Sequence, residues 1–527
     1  MKRLLLLTPP LMQTNTPYPA TMHLTGFLRE RGYEVAQRDL GIKVARDVLL
    51  AYGGDEADQL LELLQADVPP EDKLEASKLV DELALWIRDN VDSSFGFSRY
   101  AARIGAQAAD FGMVEKLVRR RGVIDEPLER HLAAAIRDTR PDMIGVTCPF
   151  PGTLVAAFKI ARYVRRHHPG IRLALGGGFV STELREMTDP RPRRYFDDFL
   201  FDEGYGPLLA LLESPRKVAG CPVPPFVRPC YDGIDWSEYF DVVETANPMH
   251  RLWSVGRWRK LQMARGCYWH KCAFCDVRLP YINCFEQPSA AAIVDAMEDG
   301  LGYHFVDEAM PPALVRRVSE EILRRGLAVA WWGNVRFDAR FTPELCRLMA
   351  KAGCIAVTGG LECANDRLLK LMAKGITCAS ATKALRAFRR AGIMVHAYLM
   401  YGFPTETAEE AYGALAFVQE LFRADLVQSA FWHRFALTVH SPIAKDPARF
   451  GIELVPPPKA KRVFCRNEIP YREPGAPDWD AIGAVLDLAL YNFQEGRGLD
   501  KAPEYWRRLA RRRARAAATR TPKRRSA

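Results

Sequence analysis

The sequence predicts an α/β protein with two parallel sheets, because strand-like and helix-like segments alternate in two separate series. The first series fills residues 2–213, and the second begins at Lys260. Strands that alternate with helices favour parallel sheets with helices packed on their faces. We expect the first series to form a Rossmann-like doubly wound parallel sheet. The second series has six strand–helix units, and we expect it to form a partial TIM-like (β/α)6 barrel.

The first unit is predicted to contain five strands, with a helical insertion over about residues 44–137 between the second and third. Glycine- and proline-rich turns at Pro9-Pro10, Pro149–Gly152 and Gly176–Gly178 follow strand ends, where sheets of this class bind ligands. The predicted strands are Leu4–Thr8, Tyr33–Asp39, Met143–Cys148, Arg172–Leu175 and Phe196–Phe201. The helices outside the insertion are Thr21–Arg31, Thr153–His167, Ser181–Met187 and Gly206–Leu212.

The second unit is predicted to carry its chemistry at the carboxyl ends of its strands, as TIM-like barrels do. These strands are Leu261–Ala264, His304–Val306, Ala328–Trp332, Ile355–Gly359, Val395–Met400 and Leu426–Phe431. The resulting domain organisation is a first domain over 1–213, a proline-rich linker over 214–257, a barrel over 258–450, a C-terminal cap over 451–500 and a basic, disordered tail over 501–527.

Composition predicts a soluble globular protein of the cytoplasm. Apolar residues make up 48% of the chain and charged residues 26%, which is ordinary for globular proteins. No apolar stretch reaches the ~18 residues of a membrane span. Twelve cysteines without a secretory signal indicate reduced thiols. The net charge of +10 belongs to residues 501–527, a run that is typical of a solvated tail, so nucleic acid is not expected as a partner.

Three cysteines, Cys267, Cys272 and Cys275, lie within nine residues directly after the first predicted barrel strand. Thiolates are the ligands that iron–sulfur clusters prefer in proteins. The loop has no fourth cysteine, so one iron of such a cluster would stay open to a substrate or cofactor. We favour this interpretation of the loop.

Two other metal sites are compatible with the same residues. Structural zinc could use the three cysteines together with His270, but His270 and Cys272 are only two positions apart, which strains a tetrahedron. A plant-type ferredoxin uses this cysteine spacing with a distant fourth ligand, for which Cys284 and Cys346 are candidates. The surrounding chain is typical of an enzyme rather than a small electron carrier.

These motifs make the chain resemble the cobalamin-binding radical S-adenosylmethionine (SAM) enzymes over about residues 1–450. In that family a loop of three cysteines follows the first barrel strand, with an aromatic residue before the third, as Phe274 is here. The resemblance implies a [4Fe–4S] cluster on Cys267, Cys272 and Cys275 whose open iron binds SAM. The chain departs from the family in placing four residues, rather than three, between the first two cysteines.

The resemblance also implies a set of SAM-binding residues at the barrel mouth. Glu362 closes the fourth barrel strand, where the family has a glutamate that contacts SAM, and Gly402 begins a Gly-Phe-Pro turn beside adenine. Asp307 and Arg336 follow the second and third strands. Arg336 would pair with the SAM carboxylate or form a surface ion pair. Phe274, Glu362, Gly402, Asp307 and Arg336 are therefore the predicted SAM contacts.

The resemblance implies cobalamin in the first domain, at Thr147, Gly176, Gly177 and Gly178. The Asp-x-His-x-x-Gly loop that ligates cobalt in many such domains is absent, and the corresponding stretch is Pro9–Asn15. Many radical SAM relatives lack that histidine as well. The alternative is a vestigial domain that no longer binds cobalamin.

The predicted function is cobalamin-dependent radical C-methylation of an unactivated carbon in a natural product or peptide. The alternatives are a cobalamin-assisted rearrangement or cyclisation, a polar methylation, and a non-catalytic iron–sulfur and corrin sensor. The family resemblance implies an external electron donor, such as flavodoxin or ferredoxin. No catalytic residue and no particular substrate are predicted.

Overall fold

A computed structural model describes residues 2–102, 110–213, 223–456 and 462–520. It confirms the predicted fold class, with one parallel sheet of five strands and a second of six. A small antiparallel pair joins Glu453–Leu454 to Tyr471–Arg472. None of the helices in these ranges is long and apolar enough to cross a membrane.

The first sheet has the strand order β2-β1-β3-β4-β5, and every pairing in it is parallel. Its chain order reverses between β1 and β3, which is the position where doubly wound sheets bind ligands. The strands are β1 Leu4–Thr8, β2 Val35–Asp39, β3 Met143–Thr147, β4 Arg172–Gly176 and β5 Asp198–Phe199. The helices are Ala20–Arg29, Leu40–Tyr52, Ala57–Gln65, Pro70–Asn90, Phe111–Arg119, Asp125–Thr139, Pro151–His167, Gly178–Glu183 and Tyr205–Leu212.

Strand β1 illustrates why this sheet is buried on both faces. All five of its residues are buried, as expected for a parallel strand between two helical layers. Leu5 and Leu7 pack in one apolar cluster, while Leu4 and Leu6 pack in another on the opposite face. The continuous leucine run is therefore a core strand.

The second sheet has the order β11-β10-β9-β8-β7-β6, and all its pairings are parallel. Its strands are β6 Arg259–Leu261, β7 Gly302–Phe305, β8 Ala330–Val335, β9 Cys354–Glu362, β10 Met394–Tyr401 and β11 Ser429–Arg434. The helices are Pro248–Ser254, Pro280–Asn283, Ala290–Val294, Pro312–Arg325, Pro343–Lys351, Asp366–Leu371, Cys378–Arg390, Ala408–Arg423, Pro442–Lys445, Trp479–Gln494 and Pro503–Arg520.

The bounds of the barrel strands differ from the prediction by up to three residues, and for β6 and β11 the reason is identifiable. Strand β6 ends at Leu261, because the next amides, of Met263 and Ala264, donate to the carboxylate of Asp307. Strand β11 begins at Ser429 rather than Leu426, because the Leu426 amide still donates to the carbonyl of Leu421 in the preceding helix. The prediction had therefore assigned apolar residues at the end of the preceding helix to strand β11.

The predicted disorder of the tail is wrong for its first part. Residues Pro503–Arg520 form a helix, and Trp506 on it is buried against Phe493 at a ring separation of 5.6 Å. Arg507 lies over the ring of Tyr412 at 4.6 Å. Residues 521–527 of the predicted tail lie outside the described part of the chain.

Strand β6 of the barrel carries a buried lysine, Lys260. Lys260 Nζ lies 3.0 Å from His304 Nδ1, and the His304 ring stacks on Trp332 at 3.5 Å. Burial lowers the pKa of Lys260 from 10.5 to about 7. Since a lowered lysine pKa means that the unfolded chain binds the proton more tightly, this group destabilises the fold at and below neutral pH and ceases to do so above about pH 10.

We therefore expect Lys260→Met to raise the free energy of unfolding near pH 7 by about 3 kcal/mol, with the gain shrinking as pH rises from 7 to 10. Chemical denaturation at several pH values measures this. Lys351→Met, at an exposed helical position, is the matched control and should show no such trend. A gain independent of pH would mean that the lysine is charged in the folded protein throughout this range.

Candidate active site

The cysteine loop follows β6 at the carboxyl end of the barrel, and its backbone course depends on a glycine. Gly266 has φ +71°, and a Cβ there would lie 1.4 Å from the carbonyl oxygen of Cys284. The Cys267 amide donates to the carbonyl of Ile282 at 3.1 Å. The loop is therefore fixed against the segment that follows it.

The additional residue between the first two cysteines is accommodated at His270. This residue has φ +36°, the left-handed region that side chains other than glycine rarely adopt. Its Nδ1 lies 2.9 Å from the Cys267 carbonyl oxygen, to which it donates. His270 thus closes a local turn, a role that accounts for its ring without a bound metal.

Cys272 and Cys275 lie together, with their thiols in a hydrogen bond. That bond, followed by the charges of Lys374 and Arg336, lowers the pKa of Cys272 to about 6, while the pKa of Cys275 is raised by the same bond and by burial. Across the described ranges, no three His, Cys, Asp or Glu side chains are close enough to hold a metal ion. A [4Fe–4S] cluster keeps its cysteine sulfurs farther apart than the ligands of a single metal ion, so cluster binding would require the Cys272–Cys275 hydrogen bond to break.

Arg336 is buried beside this pair, so the alternative of a surface ion pair is wrong. Its guanidinium lies 4.4 Å from the centre of the Trp269 ring, and Nη1 lies 3.9 Å from Cys272 Sγ. It donates to the Lys374 carbonyl, while its buried Nε has no hydrogen-bond partner among the described residues. A buried guanidinium with an unused donor needs an anion, and both cluster thiolates and the SAM carboxylate supply one.

Glu362 ends β9 in an ion pair that the sequence did not predict. Its Oε1 accepts from Lys374 Nζ at 2.6 Å, and both side chains are about nine-tenths buried. Gly360 leaves room for this contact, since a Cβ there would lie 2.0 Å from Glu362 Oε1. Lys374 also lies 5.6 Å from the centre of the Phe274 ring. The pair therefore joins the end of β9 to the cysteine loop.

Asp307 and Gly402 lie at the edges of this group. The Asp307 carboxylate accepts from the amides of Met263 and Ala264 at 2.8 and 2.7 Å, which fixes the start of the cysteine loop. Burial raises the pKa of Asp307 to about 7. Gly402 has φ +73° and faces the indole of Trp479, which belongs to the segment predicted as a cap. Asp307 is thus a positioning residue for the loop in this structure.

The structure gathers most of the predicted SAM and cluster residues at one place. Cys272, Cys275, Phe274, Arg336 and Glu362 are connected through Lys374 or through direct contacts. Sequence reasoning missed Lys374, which belongs to no motif. The adjacent glycine, Gly375, is a feature of the sequence that could have indicated a close approach of the chain here. Its φ is +72°, and a Cβ on it would lie 2.0 Å from the Trp269 ring.

The predicted cobalamin residues all line one cavity of about 230 Å³ at the carboxyl edge of the first sheet. Thr147 Oγ1 is buried there, and no described residue forms a hydrogen bond with it. Gly177 has φ +112°, and a Cβ on it would lie 2.7 Å from the Cys148 backbone. The part of the chain that the structure describes contributes no histidine to the lining of this cavity. Glycine backbone, apolar walls and an unused hydroxyl fit the nucleotide tail of a corrinoid. The four predicted residues are Thr147, Gly176, Gly177 and Gly178.

Gly177→Ala is expected to weaken the binding of hydroxocobalamin at least about tenfold, because the added methyl group meets the Cys148 backbone and φ is unfavourable for alanine. Corrin absorbance during a titration of the apoprotein measures this. Gly206→Ala, where an added Cβ meets nothing within 4 Å, is the control and should bind normally. Equal affinity of the two variants would place the corrinoid elsewhere.

The two units meet between this cavity and the cysteine loop. Arg265, which precedes the loop, pairs with Glu203 of the first unit, with Nε and Oε1 2.8 Å apart, and with Glu286 at 2.7 Å. Tyr281, shortly after the last cysteine, lines the cavity together with Tyr18 of the first unit. The cysteine loop and the cavity are therefore neighbours.

Two family models match the two units. Residues 261–418 match the Radical SAM superfamily, and residues 113–212 match the B12 binding domain. The first match implies a [4Fe–4S] cluster and SAM as cofactors, and the second implies cobalamin. Both domain types agree with the sheets and with the sites described above.

Two curated relatives are about a quarter identical to the chain over the segments that align. An uncharacterized methyltransferase of Pyrococcus horikoshii is 23% identical over 330 residues, which are 57% of this chain and 69% of the relative. The anaerobic magnesium-protoporphyrin IX monomethyl ester cyclase of Cereibacter sphaeroides is 24% identical over 311 residues, 53% of this chain and 49% of the relative. The match thus spans only about half of the cyclase.

Solved structures show the same fold at low identity. The radical SAM methyltransferase TsrM from Kitasatospora setae, with cobalamin and a [4Fe–4S] cluster bound, is 16% identical with a TM-score of 0.53, over 97% of this chain and all of that chain. The cobalamin-dependent SAM radical enzyme OxsB is 13% identical with a TM-score of 0.55, over 92% of this chain and 66% of that chain.

Proposed function

Since the chain is a radical SAM enzyme that carries a B12-binding domain, we propose that it is a cobalamin-dependent C-methyltransferase. The substrate is an unactivated carbon of a natural product or peptide. The observation that carries this proposal is the adjacency of the two sites, with Tyr281 of the cysteine-loop segment lining the glycine-rich cavity of the first domain. A methyl carrier can act together with a radical source only where their two sites adjoin.

The chain's own residues bind and orient the cofactors in this proposal. Cys267, Cys272 and Cys275 hold the cluster, and Arg336 and Glu362 hold the carboxylate and the ammonium or ribose hydroxyls of SAM. Thr147, Gly176, Gly177 and Gly178 would hold the corrinoid tail. When bound, these groups supply the electron, the carbon radical and the methyl carrier, which is the chemistry that the protein itself lacks.

The substrate would lie against the inner face of the barrel, where aromatic side chains remain accessible. Side chains alternate along a strand, and Ala397 and Leu399 of β10 face the helices, so Tyr398 faces inward. Tyr398 and Phe431 of β11 are 38% and 53% exposed. These rings favour a substrate with an apolar portion and exclude water around it.

The test is mass analysis of the products formed from SAM with a deuterated methyl group. Anaerobically purified protein with measured iron, sulfide and corrinoid is incubated with a strong reductant and hydroxocobalamin. Methyl transfer predicts S-adenosylhomocysteine, with label in the corrinoid fraction, and 5′-deoxyadenosine reports the radical route. The absence of both products under reducing conditions would favour a non-catalytic sensor.

A cobalamin-assisted cyclisation is the second candidate, supported by the two cyclase relatives at 24% identity. It predicts 5′-deoxyadenosine without S-adenosylhomocysteine. In either case an external electron donor such as flavodoxin or ferredoxin would reduce the cluster in the cytoplasm.

A further inference from the structure

The C-terminal helix, Pro503–Arg520, concentrates positive charge that none of the roles above uses. Outside residues 501–527, acidic and basic residues balance, so the excess charge of the chain lies here. Within the described ranges, none of the arginines between residues 507 and 515 takes part in a hydrogen bond or an ion pair. These residues are Arg507, Arg508, Arg511, Arg512, Arg513 and Arg515. The helix therefore presents a group of unused guanidinium groups.

The first half of this helix is anchored to the barrel. Trp506 is buried, and its ring lies 5.6 Å from the ring of Phe493. Leu509 and Ala510, on the next turn, pack against the barrel core. A helix that is fixed in this way holds its remaining side chains at a defined place on the protein, which a disordered basic tail cannot do.

The C-terminal helix runs toward the end of the barrel that carries the cysteine loop. Just before it, the Lys501 carbonyl accepts from Gln419 at 2.7 Å, in the second half of the helix Ala408–Arg423. Farther along, Arg507 lies over the ring of Tyr412, in the first half of that same helix. Because Ala408–Arg423 begins after the carboxyl end of β10, the C-terminal helix is antiparallel to it and approaches the carboxyl ends of the strands.

The arginine-rich half of the helix extends past the strand ends. At a rise of 1.5 Å per residue, the helix continues about 20 Å beyond Arg507, whereas Ala408 lies only about 6 Å beyond Tyr412. Residues 511–515 are all exposed. Five consecutive residues cover the whole circumference of a helix, so this part contacts no other element in the described ranges. The arginines are therefore accessible from all sides, at the same end of the barrel as the cysteines.

We propose that the exposed end of this helix is the docking surface for an acidic electron-transfer protein that reduces the cluster. This inference rests on the proposed function, since that function needs a reduced cluster. In the step itself, one electron passes from the partner to the oxidised cluster, and no covalent bond forms or breaks. The partner is oxidised by the one electron that the cluster gains.

Two properties of the helix favour such a partner. Arginine binds carboxylates bidentately, and complementary charges on two proteins speed their association most at low salt. The position of the arginines beyond the strand ends places the partner at the end of the barrel where the cluster would lie. Nucleic acid would also be attracted by this charge, but it would deliver no electron.

The test compares two reductants on the anoxically reconstituted full-length protein, followed by the loss of cluster absorbance. Reduced flavodoxin is the acidic protein donor, and dithionite is the small donor. The triple variant Arg511→Gln/Arg512→Gln/Arg513→Gln is expected to slow reduction by flavodoxin at low salt at least about tenfold. Binding of oxidised flavodoxin should weaken by a similar factor. Reduction by dithionite should stay unchanged, because the variant leaves the cluster residues untouched.

Lys383→Gln/Arg386→Gln/Arg390→Gln is the matched control, because it removes the same charge from exposed positions of the helix Cys378–Arg390. It should be reduced by flavodoxin as fast as the wild type. Equal rates in the two triple variants, or a wild-type protein that does not bind flavodoxin, would overturn the docking surface and leave the proposed function intact.

A short single-stranded RNA is the competing probe. RNA binding that the Arg511–Arg513 variant loses, with flavodoxin reduction unchanged in that variant, would assign the arginines to nucleic acid and overturn the inference. A wild-type cluster that dithionite does not reduce would contradict the proposed function itself. Binding of oxidised flavodoxin tests the docking surface independently of that outcome.

Discussion

Cys272→Ala is expected to abolish the visible absorbance of the iron–sulfur cluster and all cleavage of SAM. Cys272 is the thiol closest to Arg336, and its low pKa, about 6, favours the thiolate that a metal requires. Two remaining thiols cannot hold a cube with one open corner. Iron and sulfide content after anoxic reconstitution, with 5′-deoxyadenosine production, measures the loss.

Cys284→Ala is the matched control, because Cys284 is the next cysteine along the chain. Its thiol contacts the Tyr281 carbonyl oxygen at 3.5 Å, and its pKa is raised by burial, both unlike a ligand thiolate. This variant should keep the cluster and SAM cleavage. Loss of the cluster in Cys284→Ala would instead support four protein ligands of the ferredoxin type.

Lys374→Met is expected to lower the free energy of unfolding by about 3–5 kcal/mol, because it leaves the Glu362 carboxylate buried without its cation. SAM binding should be lost as well, since Glu362 would protonate or turn away from the ligand. Denaturant unfolding of the apoprotein measures the first effect, and equilibrium binding of SAM to the reconstituted protein measures the second.

The double variant Lys374→Met/Glu362→Gln separates these two effects. Removing both charges should restore most of the stability, because buried ion pairs are often no more stable than uncharged replacements. SAM binding should stay lost if Glu362 contacts the ligand. Recovery of SAM binding in the double variant would limit the pair to a structural role.

The parts of the molecule that local sequence determines were predictable. The leucine run of β1 and the alternation of strands and helices led to both sheets, because parallel strands are buried and helices follow them at regular intervals. The three cysteines could be recognised as a candidate cluster site because ligands that belong to one loop are also close together in the sequence. That Cys267 holds the cluster together with the other two cysteines stays a prediction.

Features that depend on packing between distant segments were not predictable. Lys374 reaches Glu362 because the helix Asp366–Leu371 returns the chain to the end of β9, and no local pattern records that return. The basic helix at the C-terminal end was mistaken for a disordered tail on charge alone. The feature of the sequence that indicates this helix is its apolar residues. Trp506, Leu509 and Ala510 recur at helical spacing and pack against the core.

The proposed function depends on a cluster that three cysteines hold and whose open iron binds SAM. Electron paramagnetic resonance of the reduced, anoxically reconstituted protein tests it most directly, with and without SAM. A [4Fe–4S] signal is expected that changes when SAM is added and that is absent in Cys272→Ala. Protein that contains zinc instead, or a cluster signal that SAM leaves unchanged, would contradict it.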